Sequence, residues 1–144
     1  MPLVTAGLLT VAGCTASVLP ITPPTPVNSV VPVCNQLNDR LPNLLERLQS
    51  RPTRPRSSLV HAWGGKYPVV LRCGVPTPPG YSESSPFTAQ VNGVTWFQHV
   101  DGDIVMWTAI RHGVNVELAV PKHYEGQGAF LVDIGDAIRA AAIP

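Results

Sequence analysis

The sequence predicts an α+β domain of two layers, an antiparallel sheet of about four strands with two helices packed on one face. Three observations carry this prediction. Val94, Trp96, Gln98 and Val100 share one face of a strand with Thr95, Phe97 and His99 on the other, and Val114, Val116, Leu118 and Val120 alternate with Asn115, Glu117 and Ala119, the period of strands with one buried face. Turn residues, Asp101-Gly102 and Gly113, separate these runs closely enough for a meander. Two other stretches, Leu37–Leu48 and Phe130–Ala141, place their apolar residues at helical spacing instead. A one-sided sheet and amphipathic helices bury their apolar faces best against each other.

Met1 to Val33 contains no Asp, Glu, Lys, Arg or His, and the first charged side chain is Asp39. An apolar run from Leu3 leads into Val11-Ala12-Gly13-Cys14, where small residues precede a cysteine as at a bacterial lipoprotein signal. Residues 1–14 are read as a signal with lipidation at Cys14. The alternative is an uncleaved membrane anchor over Leu3–Leu19, at the lower edge of spanning length. Both put the protein at the cell membrane, on its extracytoplasmic face. Residues 15–33 hold five prolines among small and β-branched residues, and are expected to be an extended spacer outside the core. The domain is expected to be 34–144.

Within it, a first helix is expected from Cys34, with Leu37, Leu41, Leu44, Leu45 and Leu48 on one face and Pro42 kinking it. Arg51, Arg54 and Arg56 alternate with prolines in a connector read as solvated, with anionic lipid headgroups or a phosphorylated glycan as the alternative contact. Gly64-Gly65 is a turn, and Pro68–Leu71 a buried strand that runs on to Arg72, Cys73 and Gly74. Val91–Val100, Ile104–Ile110 and Val114–Val120 are the remaining strands. The last helix stripes Phe130, Leu131, Ile134, Ala137, Ile138 and Ala141 on one side.

Ten Lys and Arg against nine Asp and Glu leave no field to gather nucleic acid. His61, His99, His112 and His123 lack a metal-ligand spacing, and neither a metal nor another cofactor is expected. There is no Gly-x-Ser-x-Gly elbow, and Gly126-Gln127-Gly128 lacks the Lys-Ser or Lys-Thr of a phosphate loop. No catalytic set is assigned. In an exported chain Cys34 and Cys73 can pair, leaving Cys14 for lipid; the alternative is two buried thiols.

Arg72 follows a buried strand, so its guanidinium needs a carboxylate, for which Glu117 is a candidate, or an anionic ligand. His99 stands near Asp101 and Asp103, aspartates that a hairpin turn accounts for. Trp63, Trp96 and Trp107 are read as core or core-rim residues; two of them exposed on one face would suit a glycan or protein partner. The candidate ligand-binding residues are therefore Arg72, Glu117, His99 and Trp96.

Cys34 with Leu41-Pro42, Ala62-Trp63-Gly64, Val70-Leu71-Arg72-Cys73-Gly74-Val75-Pro76, Val91-Asn92-Gly93-Val94-Thr95-Trp96 and Val116-Glu117-Leu118-Ala119-Val120-Pro121 resemble the actinobacterial family of unknown function numbered 3515. The resemblance covers about Cys34 to Ile143. It implies an exported protein held by a lipid or one membrane segment, with paired cysteines, and no known activity. The expected function is an envelope binding or accessory module; a small accessory enzyme of envelope biosynthesis or a lipid carrier is the alternative.

Overall fold

The computed structural model describes residues 17–144, so Cys14 and the apolar run before it lie outside the described residues. In chain order the elements are β1 (Leu19–Pro20), α1 (Val31–Asn38), β2 (Leu44–Leu45), β3 (Leu48–Arg51), β4 (Thr53–Arg54) and β5 (Val60–Trp63). Then follow β6 (Val69–Val75), β7 (Thr88–Val91), β8 (Val94–Asp101), β9 (Ile104–Ala109), β10 (Asn115–Pro121) and α2 (Gly128–Ala140). Eight strands form one antiparallel sheet in the order β2-β3-β5-β6-β10-β9-β8-β7, and β1 pairs with β4 in a separate parallel ribbon.

The sheet is twice as wide as the four strands expected. Those four are its contiguous centre, β6-β10-β9-β8, and the additions are short strands on both flanks. On the β8 side the chain turns at Asn92-Gly93, both in the left-handed region at φ 51° and 78°, to give β7. An Asn-Gly pair suits this turn because neither residue resists positive φ strongly.

On the β6 side the expected helix is cut short. It ends at Asn38, because Pro42 has no amide to donate and disfavours helical geometry at Leu41. Glu46 then adopts φ 55° in a two-residue turn that pairs Leu45 with Leu48, so Leu44, Leu45 and Leu48 of the expected helical stripe lie in a hairpin while Leu37 stays in α1. Their spacing fits a helix, but the proline decides.

The register sorts side chains into two faces. Cys73, Val116, Ala109 and Trp96 form one cross-strand row, with Leu71, Leu118 and Trp107 in the next on the same side. Both helices meet this face: Cys34 of α1 is bonded to Cys73, with Cα atoms 5.7 Å apart, and Gly135 of α2 lies against Val94. Phe130, Leu131, Ile134 and Ile138 complete the core.

Residues 19–33, expected to stand off as a spacer, lie against the domain. Leu19 N–H donates to Pro52 O at 3.0 Å and Ile21 N–H to Arg54 O at 3.0 Å, while Val30 is buried in the core. Prolines restrict the unfolded segment, which lowers the entropy lost when it docks.

The disulfide closes a sequence separation of 39. Replacing both cysteines by Ala should lower unfolding free energy by about 4 kcal/mol in the chain-entropy account, read from urea unfolding. An unchanged midpoint would mean the bond contributes nothing to stability.

Candidate functional site

The sheet face away from the helices carries the row Val60, Arg72, Glu117, Thr108, Phe97 and Thr88, one residue from each successive strand. The chain between β6 and β7 must travel from the centre of the sheet to its far edge. It does so over this face, where Tyr81 meets Phe97 edge-on at 5.6 Å. The crossing begins with Pro76, Pro78 and Pro79. It is pinned at its start by Asn115, whose Nδ2 donates to Thr77 Oγ1 at 3.2 Å.

The N-terminal Pro-rich segment forms the opposing wall. Gly74 makes this possible, because a Cβ there would sit 2.9 Å from Pro26, and its φ of +86° disfavours other residues as well. Between the walls is a cleft of about 770 Å³, lined by Pro23–Pro26, Pro76, Pro78 and Pro79 and converging on Arg72, Glu117 and His99. That volume is in the range of small-ligand sites.

Glu117 stands directly opposite Arg72 in the β6–β10 register. Arg72 Nε donates to Glu117 Oε1 at 2.8 Å, and Arg72 Nη2 donates to the same oxygen. The Arg72 side chain is 38% exposed and that of Glu117 10%, so the carboxylate anchors a guanidinium that still faces the cleft. Neither Arg72 Nη1 nor Glu117 Oε2 has a hydrogen-bond partner among the described residues. A guanidinium held on one edge and open on the other can receive a ligand carboxylate or phosphate without first losing conformational freedom. His99 adds a ring whose buried Nδ1 has no partner among the described residues.

Of the four residues expected to bind a ligand, the structure brings Arg72, Glu117 and His99 to one cleft. Trp96 lies on the helix side of the sheet, wholly buried. Trp63 is buried too, and Trp107 donates its Nε1–H to Gln127 Oε1 at 2.8 Å, so the indoles build no exposed aromatic platform. The cleft walls were legible only as Pro-rich connectors, since nothing in a proline's neighbours says which sheet face it will cover. Among the described residues no three His, Cys, Asp or Glu side chains gather as metal ligands, and no helix is long and apolar enough to cross a membrane.

Arg72→Met should destabilise the domain by about 1–3 kcal/mol by leaving Glu117 unpaired in a poorly solvated position. Arg72→Met/Glu117→Leu should recover most of that loss, because both polar partners leave together. Chemical denaturation of the three proteins measures the difference; equal stability of the single variant and wild type would show that the pair is not coupled.

No curated protein and no solved structure matches the chain. A family model does, over residues 3–143, so the chain belongs to the family described as "Protein of unknown function (DUF3515)".

Proposed function

We propose that this chain is an extracytoplasmic, membrane-tethered binding module of the cell envelope, whose Pro-walled cleft takes an acidic, extended segment of a partner protein. The observation that carries the binding role is the convergence of Arg72, Glu117 and His99 on that cleft. A protein segment is favoured over a glycan because the walls are proline and the tryptophans are withdrawn from the surface. Extracytoplasmic location is supported by the buried Cys34–Cys73 bond, since such bonds persist in oxidising compartments. The tether is the segment before residue 17, either a lipid on Cys14 or an apolar anchor.

Two measurements test this reading. A fluorescent peptide alternating Val and Glu, titrated against the domain, should bind at least tenfold more weakly to Arg72→Met/Glu117→Leu, and more weakly as salt rises. Equal binding by that variant and wild type would remove the cleft from the account. For the tether, a labelled fatty acid fed to expressing cells should enter wild type but not Cys14→Ala. Equal incorporation defeats the lipid route, and release of the protein from membranes by a high-salt wash would defeat both forms of tether.

A further inference from the structure

A second cleft, of about 630 Å³, lies between the end of α1, the β3–β4 segment and β5. Its chemistry starts from register. Ser50 pairs with Trp63 across β3 and β5, and His61 lies two residues before Trp63, so all three side chains leave the same face. The His61 ring packs on Trp63 at 4.4 Å between centroids, and its edge is turned toward Ser50. Ser50 Oγ is 2.8 Å from His61 Nε2, and His61 Nδ1 is 3.4 Å from Oδ1 of Asn38, the last residue of α1. With the ring proton on Nδ1, held by the Asn38 carbonyl oxygen, Nε2 presents a lone pair to the serine hydroxyl.

We propose that Ser50, His61 and Asn38 form a hydrolytic site for carboxylic esters, with Ser50 as nucleophile, His61 as general base and Asn38 as the residue that positions the ring. The three come from separate elements, β3, β5 and α1, and meet only in the folded chain. This is the relationship nucleophilic catalysis needs: a hydroxyl on a base, and the base oriented by a third group. It owes nothing to a strand-turn-helix elbow. Ser50 Oγ adds to the ester carbonyl carbon as its proton passes to His61 Nε2. The tetrahedral adduct then expels the alcohol oxygen, which takes that proton from His61. Water, deprotonated in turn by His61, attacks the acyl-serine carbonyl and releases the acid, restoring the serine hydroxyl. No other reactant is consumed.

Two further features fit. Arg56 lines the same cleft and has no hydrogen-bond or ion-pair partner among the described residues, so it supplies a cation for the oxygen that becomes negative. Burial holds the His61 pKa below its ordinary value of 6.5, which keeps the ring neutral, and therefore basic, at neutral pH. The groups around the ring are Asn38, Ser50 and Trp63, with Arg51 and Arg56 on the cleft wall and no carboxylate among its lining residues.

The test is labelling of the full chain with a fluorophosphonate, together with hydrolysis of 4-nitrophenyl acetate. One adduct per chain is expected, mapped by mass spectrometry to the peptide containing Ser50. Ser50→Ala should abolish it, and His61→Gln should slow it by about a hundredfold or more while circular dichroism stays native. Asn38→Ala should slow hydrolysis, and Asn38→Asp should restore the rate while moving the acid limb of the pH profile upward, because a carboxylate favours the charged ring. In wild type kcat/KM should fall on acidification with a midpoint below 6.5. Ser58→Ala, at a hydroxyl bonded instead to Asn35, should label like wild type. Absence of an adduct on folded protein, an adduct that survives Ser50→Ala, or His61→Gln labelling at the wild-type rate would each overturn the proposal.

Discussion

The covalent bond between Cys34 and Cys73 ties α1 to the middle of the sheet, and most of the architecture depends on that tie. α1 has only eight residues and no side-chain cap at its start, too little to hold a place by helix propensity. Bonded to β6, it covers Leu37 and Cys34 completely and directs Asn38 toward β5. The chain after it is then free to become β2 and β3 at the sheet's edge.

β6 carries three different tasks in three consecutive residues. Cys73 points into the helix layer, Arg72 points to the other face, and Gly74 lets the N-terminal prolines approach the strand. Because strand side chains alternate strictly, one staple and one ion pair can occupy neighbouring positions without competing for space. The result is a domain with two clefts. One is walled by proline and floored by an ion pair; the other is built at the junction of a short helix and two short strands. Prolines suit the first because they hold a wall in place with little further loss of chain entropy.

Where local pattern and local chemistry agreed, the sequence was legible. The meander of β8, β9 and β10 and the final helix follow from periodicity and turn residues alone. Arg72 and Glu117 were legible as partners because each is the one charged residue of its strand. Legibility failed where a short strand has too few residues to show a period. Val60–Trp63 has four, and Leu44–Leu45 only two. The leucines from Leu37 to Leu48 keep a helical spacing across Pro42 although the chain does not stay helical there, and Asn92-Gly93 is a turn inside what reads as one continuous strand.

Composition, alternation and cysteine placement therefore determined an α+β domain with a stapled core and a central antiparallel sheet. Each of those is set by residues close in sequence, or by the small number of ways two domain cysteines can pair. The tertiary structure alone decided the width of the sheet, the docking of the proline segments and the meeting of Ser50, His61 and Asn38. Those depend on register between distant strands, where a shift of one residue would turn every side chain to the opposite face.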